Sequence, residues 1–334
     1  MPDPVLSDLP PRLGLLGDAH ADTRFLQAGL HALAERAVSV VIQLGDFGIL
    51  WNGSEQDGHD LALLNTALRL TGQTLLVVTG NHDSYQEIAD YPPDADGVRR
   101  LGRVWILPRS GRAQAAGRPL GWLSGAASVN RSRLRPGISW WPEELPTPAE
   151  AAALSEGGPV EVVLAHDALD SQALTIRLAR TAESSAPTDL AYADAGRAQF
   201  SRTVLGVLAD EGLVISGHYH FRMSVDEIVT RPDGRPVRAR NEILSCQFEG
   251  ASVAILDVRT RSLEAFVLDE RRIGQDRQAF RSLLKRIPDG PRQLQNHWRL
   301  SRRELEQLRN GVLLAPPALL DELRSWLPDD ARKA

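Results

Sequence analysis

Val38-Ser-Val-Val-Ile-Gln-Leu-Gly-Asp46 is the stretch on which the reading of the fold turns. Val38, Val40, Val41 and Ile42 are β-branched and stand in a nearly continuous apolar run, the mark of a strand covered on both faces. The run stops at Gly45-Asp46. Working outward, an apolar run at Leu13–Leu16 and a mixed segment over 23–37 precede it, and a mixed segment over 57–70 and a run at Thr74–Thr79 come after it. This is a β-α-β-α-β rhythm. Further runs at Val160–Ala165, Leu213–Ser216, Ile243–Ser245, Ser252–Leu256 and Leu263–Val267 extend the expectation to a layered α/β domain with its sheets inside.

The chain has 334 residues, 43% hydrophobic and 24% charged, enough for one large domain with an appendage and a sizeable core. Its one cysteine, Cys246, allows no internal disulfide and no thiolate zinc cage. Any metal must therefore be held by His, Asp, Glu or Asn. The stretch MPDPVLSDLPPR has acidic residues and prolines where a secretory leader needs basic and then apolar ones, and no run approaches a membrane span. A cytoplasmic protein without membrane contact is expected. The net charge of −5 argues against a surface that binds nucleic acid throughout, although residues 270–334 carry 14 Lys and Arg against 9 Asp and Glu.

Between about 125 and 158 the pattern is irregular, with Arg131, Arg133, Arg135, Trp140-Trp141 and four prolines, as in a long ordered loop or a small cap. The last 65 or so residues read as helices. Ser301 with Glu304 forms a capping-box pattern, Gly311 is a stop, and Pro317 opens a final helix through Trp326.

Four apolar runs end directly in short polar clusters: Gly17-Asp18-Ala19-His20, Gly45-Asp46, Gly80-Asn81-His82-Asp83 and Gly217-His218-Tyr219-His220. A fifth, His166-Asp167, comes after Val160–Ala165 without a glycine. Ligand sites collect at the carboxyl ends of strands in α/β sheets, so five loops can converge on one place. Carboxylate, imidazole and carboxamide donors suit borderline to hard divalent ions such as Mn²⁺, Fe²⁺ or Zn²⁺. The one-residue spacing in Asp18-x-His20 and His218-x-His220 sends both side chains the same way if the segments are extended. Singly, each cluster is a weak signal, because Gly and Asp are common after strands and a lone histidine is well explained by a hydrogen-bonded structural role. The joint arrangement, which takes five of the eight histidines, is specific.

In this order the five blocks resemble the signature of the calcineurin-like metallophosphoesterases: Asp-x-His, Gly-Asp, Gly-Asn-His-Asp/Glu, His and Gly-His-x-His. The resemblance covers roughly residues 1–270 as the phosphoesterase domain and leaves 271–334 as a helical appendage. A closer likeness is to bacterial and phage members carrying Ser-Trp-Trp-Pro-Glu-Glu, here Ser139–Glu144. It implies a β-sandwich flanked by helices and two divalent cations, Mn²⁺ first, with Fe, Zn²⁺, Mg²⁺ or Ni²⁺ as alternatives. One is implied on Asp18, His20, Asp46 and His220, the other on Asp46, Asn81, His166 and His218, with Asp46 bridging. Two such ions about 3.5–4 Å apart share a water and aim it at phosphorus. His82 is implied to face the leaving oxygen, with Asp83 as its orienting partner.

The non-functional readings stand beside these. His82 can bond a backbone carbonyl, and Asp83 can cap a helix starting at Ser84. Asp22, Asp167 and Tyr219 neighbour the ligands; Asp167 either orients a ligand histidine or caps the segment after it. His31, His59 and His297 read as surface or packing residues. Arg131, Arg133 and Arg135 are candidates for holding phosphate and equally solvated loop residues, while Trp140 and Trp141 either stack on a base or anchor the loop.

The expected activity is hydrolysis of a phosphate monoester or diester. The alternative is a nuclease acting on DNA or RNA through the basic tail and loop arginines, and a non-catalytic scaffold is disfavoured because no ligand is missing. Leu305, Leu308, Leu319, Leu320 and Leu323 lie at helical spacings and suit either self-association or, the preferred reading, packing on the parent domain.

Overall fold

A computed structural model of the protein describes residues 6–51, 53–180 and 186–327; the first five residues, part of the stretch read for a leader, lie outside that set. The first half comprises β1 (Arg12–Leu16), α1 (Thr23–Ala34), β2 (Val40–Leu44), α2 (Glu55–Thr71), β3 (Thr74–Val78), α3 (Tyr85–Ala89), β4 (Arg99–Leu101), β5 (Val104–Ile106), β6 (Ser110–Ala115) and β7 (Arg118–Leu123). Next come α4 (Pro148–Ser155), β8 (Val160–Ala165), α5 (Gln172–Ala179), α6 (Pro187–Val207), β9 (Leu208–Ser216), β10 (Met223–Thr230), β11 (Pro236–Ile243), β12 (Ala251–Asp257) and β13 (Ser262–Val267). The tail holds α7 (Glu270–Arg286), α8 (Gly290–Trp298), α9 (Arg302–Asn310) and α10 (Pro317–Ser325).

The strands form a seven-stranded sheet, β13-β12-β1-β2-β3-β5-β4, and a six-stranded one, β10-β11-β9-β8-β7-β6. Leu13, Leu15, Ile42 and Leu76 of the first meet Trp122, Val162, Leu164 and Ile215 of the second in a common core between the sheets. The alternate residues face outward. Val41, Leu75 and Val77 pack under α1 and α2, and Val163 and Val214 pack under α4 and α6. This is the helix-flanked β-sandwich, and it explains why β2 and β3 are buried at every position. Neighbours β1, β2 and β3 are parallel, as are β7, β8 and β9, so their carboxyl ends gather at one edge. No described helix is long and apolar enough to cross a membrane.

Several elements differ from expectation. The irregular region ends at Thr147, whose capping box with Glu150 starts α4. Ile243 closes β11 rather than opening a strand, and Leu244-Ser245 lead away from it. In the tail, the Ser301 capping box and the left-handed Gly311 bound α9 as expected.

The five tail leucines are all buried in one cluster with Leu26, Leu30, Leu64 and Leu68 of α1 and α2. Their apolar face is thus covered by the parent domain, which removes the motive for self-association through it. Phe280 of α7 is the largest fully buried tail side chain in this cluster, with Trp298 and Trp326 packed against it half-buried. Phe280→Ala is expected to cost about 3–5 kcal/mol, read as a fall in the midpoint of urea unfolding. An unchanged midpoint would show that the tail does not brace the sheet.

Candidate metal centre

The five polar clusters leave β1, β2, β3, β8 and β9 at the shared edge of the sandwich. Main-chain bonds lace these exits together: Ala19 and His20 N–H donate to the Asp46 carbonyl at 3.1 and 2.8 Å, and Gly217 N–H donates to the His166 carbonyl at 3.2 Å. The paired residues do not converge through extended backbone as the spacing suggested. His20, Asp46, His218 and His220 all have positive φ, at 44°, 52°, 68° and 56°. Left-handed non-glycine residues are uncommon, and a cluster of them is strain that the surrounding bonds hold in place. Two glycines make the approach close enough. A Cβ on Gly80 would overlap Asp46 Oδ1, and one on Gly217 would overlap Asp18 Oδ1.

The side chains form two groups that meet at Asp46. Ligand atoms of Asp18, His20, Asp46 and His220 all lie within 4.8 Å of one another. His220 Nε2 is 3.2 Å from Asp18 Oδ2 and 3.0 Å from His20 Nε2. On the other side, His166 Nε2 lies 3.0 Å from Asn81 Oδ1 and 3.1 Å from Asp46 Oδ1, with the His218 ring edge-on to His166 at 4.9 Å. Asp46 Oδ2 faces the first group, 4.0 Å from His20 Nδ1. All seven residues are brought together.

The electrostatics suit a cation. Asp18, Asp46, Asn81 and His166 are buried. Burial would push the Asp46 carboxyl up, but the His166, His82 and His20 imidazoles outweigh it and hold it well below the usual range. Burial likewise works against a proton on His166, yet Asp46 and Asp18 raise its pKa. The Asp18 hydrogen bond, helped by Cys246, raises that of His220. By contrast, burial and the neighbouring His166 keep His218 well below its ordinary value, so it presents a neutral ring. Carboxylate charge that draws protons onto these imidazoles draws a divalent ion by the same attraction, and His166 is set for it. Its Nδ1 faces the Leu44 carbonyl at 2.8 Å, which as an acceptor fixes the proton there and leaves Nε2 as a lone pair. The residues present fit a divalent metal centre.

His82 sits beside the first group. Its main-chain N–H donates to Asp46 Oδ1 at 2.7 Å, and its ring stacks on Trp51 at 6.0 Å and meets His20 edge-on at 5.6 Å. Asp83 departs from both expectations. Ser84, not Asp83, caps α3, and the Asp83 carboxylate accepts from the N–H groups of Phe47, Gly48 and Gly80 at 3.3, 2.7 and 2.7 Å instead of meeting the His82 ring. It ties the second exit loop to the third. Burial and the Asp46 charge raise its pKa. Asp22 caps α1. Asp167 accepts from Tyr219 O–H at 2.7 Å and Ala168 N–H at 2.8 Å, so it holds the tyrosine between the two histidines rather than a histidine ring.

His31 is buried on α1, and His59 and His297 are exposed. Arg131 lies over the Tyr192 ring at 4.2 Å and the Trp140 ring at 5.5 Å. Trp141 is buried and meets Trp51 edge-on at 4.5 Å, an anchor rather than a platform for a base.

Four residues near the centre escaped the sequence reading. Gln43, buried inside β2, receives Gly45 N–H at 3.1 Å and donates to the Gly45 carbonyl. Trp51 carries His82. Ser128 bonds Asn81, and Glu144 bonds Ser128. A polar residue inside an apolar strand was the available signal for Gln43, and the Ser139–Glu144 segment that carried the closer likeness was the one for Glu144. Next to the centre lies a recess of about 560 Å³, walled by Val129, Leu178, Leu190, Ala193 and Phe221 and floored by Asp46, Asn81, His82, His218 and His220.

A family model described as calcineurin-like phosphoesterase matches residues 11–222, more than half of the chain. No curated protein matches the sequence. Among solved structures, the chain is similar to TT1561 of Thermus thermophilus, at 14% identity over 77% of this chain and 99% of that one, with a TM-score of 0.41. It is similar to a dimetal phosphatase from Danio rerio at 13% identity, covering 78% and 96%, with a TM-score of 0.42. An archaeal phosphodiesterase is similar at 12% identity, covering 77% and 99%, with a TM-score of 0.34.

Proposed function

The chain belongs to the calcineurin-like phosphoesterase family, and on that premise we propose that it hydrolyses a small organic phosphate ester with two divalent cations, Mn²⁺ foremost. One would rest on Asp18, His20, Asp46 and His220 and the other on Asp46, Asn81, His166 and His218, within a phosphoesterase domain over 1–270. The observation that carries this is the placement of Asp46, which turns Oδ1 to His166 and Oδ2 to His20 and so offers one oxygen to each group. Bound there, the ions supply Lewis acidity that lowers the pKa of water and neutralises phosphoryl charge.

The protein's own groups do the rest. Asp46 is held in place by the His82 N–H, and Asp18 by the His218 N–H, which donates to its two oxygens at 3.0 and 3.1 Å. His82, beside the recess, is positioned to give a proton to the departing oxygen or to stabilise its charge. The apolar wall formed by Val129, Leu178, Leu190 and Phe221 suits the organic group of a monoester or diester. Arg197, also in the wall, is committed to Asp170 and Asp194 at 3.1 and 2.6 Å and does not serve as a phosphate clamp.

A nuclease is the second reading, because Arg131–Arg133 come directly after Val129 and Asn130 at the rim of the recess. The test is to strip the protein with chelator, restore Mn²⁺, and assay an aryl phosphomonoester, an aryl phosphodiester and DNA and RNA. Metal-dependent turnover of an aryl ester with little effect of salt is expected. Preference for nucleic acid, with affinity falling steeply as salt rises, would favour the nuclease. A protein that takes up no stoichiometric metal and is inert on every substrate would overturn the proposal.

A further inference from the structure

We propose that Glu144 is a positioning residue for the metal centre: acting through Ser128, it sets which end of the Asn81 amide faces His166 and Asp46. This rests on the reading of Asn81 as a metal ligand. Glu144 is fully buried, in the Ser139–Glu144 segment between the third and fourth signature blocks and belonging to neither. One of its oxygens, Oε1, accepts from Ser128 N–H at 3.0 Å and from Tyr192 O–H at 2.7 Å. The other, Oε2, accepts the Ser128 hydroxyl at 2.5 Å. Ser128 Oγ is in turn 3.1 Å from Asn81 Nδ2.

Proton counting makes this chain directional. A serine hydroxyl has one hydrogen. Given to Glu144, it leaves only lone pairs for Asn81, so the atom of Asn81 that faces Ser128 must be the NH₂. The carbonyl Oδ1 is then turned to His166 Nε2 and Asp46, with its lone pairs toward the proposed second ion. With the amide reversed, an NH₂ would point at that position and repel a cation. Neighbouring bonds keep the relay in register: Thr79 N–H donates to Ser124 Oγ at 3.2 Å and Gly125 N–H to the Thr79 carbonyl at 2.7 Å. The Arg109 guanidinium bonds the Glu143 carbonyl at 2.7 Å and lies over Tyr85, whose hydroxyl bonds the Gly80 carbonyl at 2.7 Å.

The decisive change is Glu144→Gln, which preserves shape and inverts polarity. The two donors already on Oε1 keep the Gln oxygen there, so its NH₂ must donate to Ser128 Oγ. The serine hydrogen is thereby released toward Asn81, and the amide is free to reverse. Adding Asn81→Asp should repair the defect, because an aspartate accepts the released hydrogen with one oxygen and still offers the other to the ion.

The experiment titrates metal-free protein with Mn²⁺ by calorimetry, following stoichiometry and affinity for wild type, Glu144→Gln, Ser128→Ala and the Glu144→Gln/Asn81→Asp pair, with melting temperatures alongside. Wild type is expected to take up two ions. Glu144→Gln should weaken one of them about 10–100-fold and leave the other unchanged. Ser128→Ala, which removes the relay without inverting it, should weaken the same ion less, and the double variant should recover it. Two ions at wild-type affinity in Glu144→Gln would overturn the proposal, as would equal weakening of both ions or a double variant no better than the single one. Should Glu144→Gln not fold, a Ser128→Ala protein that binds both ions as tightly as wild type would overturn it. A wild type that binds no ion would remove the metal reading itself, and this inference with it.

Discussion

Asp46→Asn is expected to abolish metal binding and phosphoester hydrolysis together while leaving the fold in place. Asparagine has the same shape and keeps one oxygen to accept the His82 N–H, so the third exit loop retains its anchor. What is lost is the negative charge between the two groups, 3.1 Å from His166 Nε2 on one side and 4.0 Å from His20 Nδ1 on the other. Asp18 stands with the first group, and where its Oδ1 comes within 4.0 Å of His166 it meets Nδ1, the nitrogen turned to the Leu44 carbonyl, rather than Nε2. Loss of metal-assisted charge stabilisation, several kcal/mol, corresponds to a fall in turnover of at least about 10³-fold. Elemental analysis should show the metal content falling in parallel, with an unchanged far-ultraviolet dichroism spectrum. Asp46→Asn protein that still carries two ions and turns over substrate would rule out the bridging role. Loss of metal without loss of a partner's binding would instead favour a scaffold.

The chemistry at this edge was legible because it is written locally. A β-branched run that stops at a glycine and a polar residue, as at Leu44-Gly45-Asp46, marks both a buried strand and the place where its candidate ligand emerges. Where strands are not covered on both faces the signal fades. In β10 every second residue is exposed, and its Ser, Asp, Glu and Thr break the apolar run. The hairpin β6–β7 is written in Gly, Arg, Gln and Pro, and only its Ala116-Gly117 turn, with φ of 50° and 77°, carries the two-residue hairpin geometry.

The site's supports were illegible for a different reason. Asp83 sits in the signature, yet which N–H groups it meets depends on how β2 and β3 lie side by side. Ser128 reaches Asn81 from the segment between β7 and α4, and Glu144 of the same segment reaches it through Ser128, the two being 16 residues apart from each other and 47 or more from their target. Spacing along the chain holds no record of such contacts. The left-handed backbone of His20, His218 and His220 was equally hidden, because short polar turns look alike in sequence whether they run straight or fold back.

His82→Ala should separate leaving-group chemistry from metal binding. The ring is fixed from three sides without being among the proposed ligands: its main chain is tied to Asp46, one face lies along Trp51, and its edge meets His20. It borders the recess where the organic group is proposed to sit, so a proton or positive edge from His82 is available to the oxygen that departs. Removing it should leave two ions bound and lower turnover of an alkyl phosphate ester by about 10²–10⁴-fold, the usual weight of a positioned acid. A nitrophenyl ester, whose leaving oxygen needs little help, should lose much less. That difference is the diagnostic, because damage to the metal centre would slow both esters alike. Equal losses on the two substrates, or loss of an ion in the variant, would mean that His82 acts by bracing Asp46 and that the leaving oxygen is served by another group.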